Sequence, residues 1–275
     1  MRDYRLDPKK RCIILVILAC ILLAISIASP HLMPNDPNKT NVAMAKHAPC
    51  DQYPLGTDAL GRCVMSRVLI GSRTSIFASL LLVAIMFCFG SAVGIVCGYY
   101  GGVLDTVLMR ITDCFLALPQ MVLAIAVAGI LGGGLLNAMI ALGVFGWTSY
   151  ARLARSRVLA LKNEDFIAAA RLSNNRDGRI LLRHVMPNIL SPLLVNASIQ
   201  IGYTMLSLAG LSFLGLGVQV PKAEWGSMVS DGRSLLQVAP WVSLVPAAAI
   251  IITVIVFNLL ADSIRDVMDP GESEA

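Results

Sequence analysis

A chain of 275 residues that is 56% hydrophobic and only 14% charged is no ordinary soluble domain, in which about a quarter of the residues carry charge. Its mean hydropathy of +0.73 places it among membrane proteins. The net charge of +5 needs no nucleic-acid partner, because it falls mostly in segments between charge-free runs at 12–35, 74–104, 114–151, 184–221 and 234–261.

A helix needs about 20 apolar residues to cross the hydrocarbon. The first run follows Lys9, Lys10 and Arg11 and resembles a signal peptide, with Ser26 and Ala28 near its end. Its 18-residue apolar stretch is long for a signal, so an uncleaved span over 12–29 is expected. An outer segment, 30–74, follows. Pro30, Pro34, Asn35, Pro37 and Pro49 make its first half turn-rich, whereas Leu60, Val64, Arg67, Val68 and Ile70 predict a short amphipathic helix leading along the interface into the second span, its apolar positions on the membrane or on a partner subunit. The second span carries Gly90, Gly94 and Gly98 on one face, a ridge that lets another backbone come close. Beyond it, Arg110 and Asp113 are spaced to pair on one helical face.

The run 114–151 holds two spans, 114–131 and 135–151, separated by Gly132-Gly133-Gly134 and Asn137, with Pro119 inviting a kink. The run 184–221 holds one span near 193–214 with irregular, proline-bearing flanks, and a sixth span lies in 234–261. With the N-terminus inside, the inner segments hold Arg2, Arg5, Lys9, Lys10, Arg11, Arg110, the eight basic residues from Arg152 to Arg183, and Arg265, which is 15 of the 22 Lys and Arg. That bias puts both termini in the cytoplasm. The expected fold is therefore an all-α polytopic membrane protein: a cytoplasmic N-terminus (1–11), a first span (12–29), an outer loop (30–74), a five-span core (75–263) containing a cytoplasmic helix–turn–helix (153–190), and a cytoplasmic tail (264–275).

No ionisable residue sits near the centre of a span, which argues against a proton-coupled carrier, and no nucleophile constellation suggests an enzyme. His31, His47 and His184 lie outside the spans, so no metal site is drawn. Asn196, Gln200, Tyr203 and Ser207 form one stripe on the fifth span, either lining a water-filled path or bonding to a neighbouring helix. Met205 is either a soft contact or packing. Cys50 and Cys63 share the outer loop and are open to pairing.

The stretch DFIAAARLSNNRDGRILLRHVMPN, 165–188, gathers four arginines and two aspartates amid apolar sequence. Glu164 and Asp165 suit the first turn of a helix, whose Phe166, Ala169, Ala170 and Leu172 are available for docking. Asn174 or Asn175 can close it in a left-handed turn, and GRILLRHVMP restarts a helix with Ile180, Leu181 and Val185 facing inward.

This stretch resembles the coupling loop of bacterial ABC importer permeases, in the dipeptide, oligopeptide and nickel branch. The match runs through Ala168-Ala169-Ala170, Asn174 and Val185-Met186-Pro187, with Ala168 where the family has Glu and Asn174 where it has Gly. Asparagine tolerates the left-handed turn. LGTDALGRCVMSRVLIGSRTS, GYYGG, LSFLGLGV, AEWGSMVSDGR and FNLLADSIRDVMDP are also similar to that branch. Ser207–Gly217, SLAGLSFLGLG, looks closest to nickel permease C-type subunits, so the expected cargo is nickel, as an ion or small chelate, with peptide as the alternative and a channel or scaffold as a third class.

The resemblance implies a permease subunit of the bacterial inner membrane that works by alternating access. It would pair with a related second permease chain, two cytosolic ATPases that hold ATP and magnesium, and an external binding protein. The chain itself has no phosphate-binding loop and needs no cofactor. By the same resemblance Asp165, Phe166, Ala168, Ala169, Ala170, Asn174, Arg183 and Pro187 would meet the ATPase. Asn196, Gln200, Tyr203, Met205 and Ser207 are the candidate path residues.

Overall fold

The computed structural model describes residues 7–173 and 175–268. It is helical, and among the described residues the only β-type pairings are two isolated bridges in the outer segment, Cys50 with Tyr53 and Thr57 with Cys63. The helices are α1 (Pro8–Leu32), α2 (Val64–Tyr100), α3 (Gly102–Leu116), α4 (Gln120–Leu131), α5 (Leu135–Leu161), α6 (Asp165–Leu172), α7 (Asp177–Ile180), α8 (Met186–Phe213), α9 (Trp225–Gly232) and α10 (Trp241–Met268).

Among the described residues four helices are long and apolar enough to cross a membrane, Pro8–Leu32, Val64–Tyr100, Asp177–Phe213 and Trp241–Val267, and a bent pair, α3 with α4, makes a fifth candidate. The 27-residue α5 is not among them; Asn137, Thr148, Ser149 and Arg152 dilute its apolar content. The sequence expectation of one helix over 114–131 is corrected. The chain ends α3 at Leu116, restarts at Gln120 and turns by 89° between them. Pro119 explains the break, since it cannot donate to the preceding turn and disfavours helical backbone just before it. Gly132 and Gly134 then take positive φ, and Asn137 Nδ2 donates to the carbonyls of Leu131 and Gly132, both at 2.9 Å, closing the expected turn into α5.

The expected span near 193–214 also begins earlier. Helix runs without interruption from Asp177 to Phe213, past Pro187 and Pro192. A π-helical turn at Leu181–Val185, in which the Met186 N–H reaches the Leu181 carbonyl, supplies the extra slack. Such turns loosen the local ladder and let a helix absorb the missing proline donor. The expected helix leading into the second span starts only at Val64, as the first turns of α2, and Leu60 lies in the turn before it. Val64 is buried against Ala239 and Val242, and Arg67 is buried too.

α2 and α5 form the central pair. A Cβ on Gly90, Gly94 or Gly98 would stand 2.8 Å from Tyr150 Cβ, 2.7 Å from Ala154 Cβ and 2.8 Å from Val158 Cβ, so the predicted ridge is the seam against α5. In lipid the hydrophobic effect does not drive helices together; dispersion at close range does, which is why small residues belong there. Leu82, Met86, Ala124, Ala128, Ala138 and Leu142 extend the core between α2, α4 and α5. α1 packs on α2 and α10, with a hydroxyl contact from Ser72 to Ser26 at 3.1 Å.

Candidate coupling face and path helix

α6 has two unlike faces. Ile167 and Ala170 are buried, and with Ile180, Val185 and Ile189 they pack on Ile95, Tyr99, Ala154 and Val158 of α2 and α5. The opposite face presents Asp165, Phe166, Ala168 and Ala169 to the surroundings, with Leu172 88% exposed at its end. Of the residues expected to face a partner, Ala170 therefore lies on the inner side. Ile180 and Val185 are buried as expected, and Leu181 is partly buried.

Asn174 lies outside the described residues. The turn after α6 is closed by Asn175, whose Nδ2 donates to the Ala170 carbonyl at 3.1 Å, and by Ser173, whose N–H reaches the Ala169 carbonyl. Two polar contacts tie this segment to α2. Tyr99 Oη donates to Asp177 Oδ1 at 2.7 Å, and the Arg171 guanidinium lies over the Tyr99 ring, 5.5 Å from its centre. Arg183 and Pro187 are exposed on the same end of the molecule.

The stripe on α8 meets several environments. Asn196 borders an open cavity of about 550 Å³ between α5, α8 and α10. Gln200 Nε2 donates to Ser149 Oγ of α5 at 3.3 Å, Tyr203 is 48% exposed, and Ser207 is buried. Met205 points the other way, packed with Ile76, Ala209, Trp225 and Met228.

Near the α6–α7 end, α3 is held to α5 by charge. Arg155 grips Asp105 through Nε at 2.5 Å and Nη2 at 2.7 Å, and Arg152 binds Asp113 at 2.5 Å. The expected Arg110–Asp113 pair gives way to this longer-range one, because a guanidinium on the facing helix reaches Asp113 across the helix contact.

At the α9 end lies a set of buried charges that the sequence reading did not single out. Asp58 accepts from the backbone N–H groups of Leu60 and Arg62, each at 2.9 Å, and from Arg62 Nε at 2.6 Å, while Arg67 Nε stands 3.8 Å away. Arg67 Nη1 also donates to the carbonyls of Pro37 and Pro221, at 3.2 and 3.3 Å. Glu224, 3% exposed, caps α9 by accepting from the N–H groups of Gly226 and Ser227, both at 2.8 Å, and it takes the Ser75 hydroxyl at 3.2 Å. The side chains of Trp225 and Trp241 donate to the carbonyls of Val68 and Thr57. Partial burial pushes the Asp231 carboxyl above its ordinary range, with Arg62 and Arg67 opposing the shift. The available signal was Arg67, a charge placed on the apolar stripe of the predicted helix. Cys50 and Cys63 are both free thiols.

Residues 90–274 match the family described as the binding-protein-dependent transport system inner membrane component. The dipeptide transport system permease protein DppC of Alkalihalophilus pseudofirmus is 38% identical over 97% of this chain and 88% of its own. The glutathione transport system permease protein GsiD of Pectobacterium atrosepticum is 40% identical over 91% of this chain and 83% of its own. The probable D,D-dipeptide transport system permease protein DdpC of Escherichia coli is 40% identical over 92% of this chain and 85% of its own. In three dimensions the chain is similar to one from the MetNI methionine ABC transporter in inward-facing conformations, with a TM-score of 0.58 and 20% identity over 74% of this chain and 97% of that one.

Proposed function

The chain belongs to the family of binding-protein-dependent transport system inner membrane components and is a permease subunit of an ABC importer, and from that premise we propose that its cargo is a small peptide. Relatives named for dipeptide and glutathione transport support peptide over the nickel expected from Ser207–Gly217.

In this proposal six passes leave both termini in the cytoplasm, the bent pair α3–α4 and then α5 being the third and fourth. A second permease chain completes the path, an external binding protein delivers peptide, and two cytosolic ATPases dock on α6 and its counterpart. The single observation that carries the docking role is the division of α6 into a buried face and an exposed face of Phe166, Ala168 and Ala169. Alanines there let another surface approach closely, while Phe166 and Leu172 offer apolar knobs.

The route of the motion follows from continuity. Because Asp177–Phe213 is one 37-residue helix, roughly 55 Å long at the usual rise, a displacement at α7 tilts the helix that bears Asn196, Gln200, Tyr203 and Ser207. The buried contacts of Ile167 and Ile180 carry the same displacement into α2 and α5. ATP, bound and hydrolysed on the partner subunits, supplies the energy.

Uptake by cells with and without this chain tests the cargo directly, using a radiolabelled dipeptide, glutathione and nickel in parallel. Loss of dipeptide or glutathione uptake on deletion, with nickel unchanged, is the expected result. Loss of nickel uptake alone would overturn the peptide reading.

A further inference from the structure

The 550 Å³ cavity between α5, α8 and α10 has a gradient along its length. At its mouth stand Arg157 and Arg265, each about one turn from the end of its helix, on the same end of the molecule as α6 and α7. Both are exposed, and among the described residues neither takes part in an ion pair. Asn188 adds a polar side chain at the same level. Further along α8 the wall becomes mostly apolar through Ile189, Pro192, Val195 and Ile199, with Ser191 and Asn196 set among them. At 1.5 Å per residue, Asn188 to Ile199 spans roughly 16 Å, about half the hydrocarbon thickness of a bilayer.

Two guanidiniums outside any ion pair at helix ends, above a mostly apolar wall that keeps Ser191 and Asn196 along a membrane helix, match one amphipathic ligand. We propose that this cavity binds an acidic phospholipid, its phosphate held by Arg157 and Arg265 and an acyl chain laid along Ile189, Val195 and Ile199. Guanidinium groups suit phosphate because their fork of donors meets two oxygens at once. Basic pockets between membrane helices are a recurrent headgroup site. The lipid would brace α8 against α10 at the point where the coupling segment enters the helix. The inference does not depend on which cargo is carried.

The full chain is reconstituted in phosphatidylcholine nanodiscs and titrated with phosphatidylglycerol, and retained lipid is counted by native mass spectrometry. Removing both charges with R157Q and R265Q is expected to weaken retention about thirtyfold, at about 1 kcal/mol per basic residue near the surface. R157K with R265K keeps the charge but loses the two-oxygen fork, so retention should fall severalfold and stay above that of the glutamine pair, and R110Q, which removes an arginine lining a separate cavity on the same end, should change nothing. Equal retention by the glutamine pair would overturn the proposal. Equal competition by soluble glycerol phosphate would overturn the lipid as source, and displacement of the lipid by a dipeptide would make the cavity part of the cargo path instead. If the glutamine pair fails to fold, the lysine pair and the two competitors still decide the matter.

Discussion

The two ends of the helix bundle solve the problem of polar groups in opposite ways. At the α9 end, Asp58, Arg62, Arg67 and Glu224 are buried and answered by backbone donors, carbonyls and each other, which ties the outer segment to α2 and α9 over 150 residues of sequence. At the α6–α7 end, Asp105 of α3 is buried under Arg155, but the charges of the α6–α7 segment itself stay exposed, and that segment is held mainly by an apolar seam, a tyrosine–aspartate bond and a cation–π contact. Buried charges resist rearrangement because each partner left alone in a low-dielectric site costs several kcal/mol. An apolar seam can slide or rotate with little penalty at each step. The contrast suits a molecule whose α9 end stays rigid while its other end moves.

Asp58 holds the α9 end together more than any other single side chain there, since two buried guanidiniums face it. Asp58→Ala strands two buried guanidiniums, and about 3–5 kcal/mol of stability should be lost, read as a large drop in melting temperature of the purified chain. A smaller loss, about 1–3 kcal/mol, is expected for Gly94→Val, which drives a branched side chain into the α2–α5 seam that joins the two ends. Tyr99→Phe removes only the hydroxyl bond to Asp177. It should cost about 1 kcal/mol and show as faster amide exchange in α7, with exchange in α9 unchanged.

The smallest effect concerns Asp231. Its folded-state pKa is raised, so the native state holds the proton more tightly than the unfolded state does, and stability falls as pH rises through the ordinary aspartate range. Because Asp231 is only partly buried and reaches solvent, screening reduces this effect. Asp231→Asn should therefore raise the melting temperature at pH 7 by on the order of a degree, a gain that vanishes as pH is lowered toward 4.

Local chemistry made part of this legible from sequence. The triple glycine and Asn137 marked a real turn, the Gly90–Gly98 ridge marked a real close approach, and Ile180 and Val185 fell on the buried side. Proline was read too simply: Pro119 ends a helix, whereas Pro187 and Pro192 are carried within one because a π turn and tertiary packing absorb them. The partner of Asp113 was missed because it lies 39 residues away on α5, and no helical spacing encodes that contact. The buried charges were missed for the same reason. A charge reads as solvated until the fold supplies its partners, and those of Arg67 come from residues as distant as Pro221.

The exposed face of α6 is the surface proposed to receive an ATPase and drive the path. Ala169→Asp in the assembled transporter tests it most directly, with thermal stability, ATPase retention and peptide uptake measured on the same preparation. The substitution is on an exposed face, so stability should stay within about 0.5 kcal/mol, while uptake falls more than tenfold as docking weakens by upward of about 1.4 kcal/mol. Intact ATPase retention together with intact uptake would contradict the account.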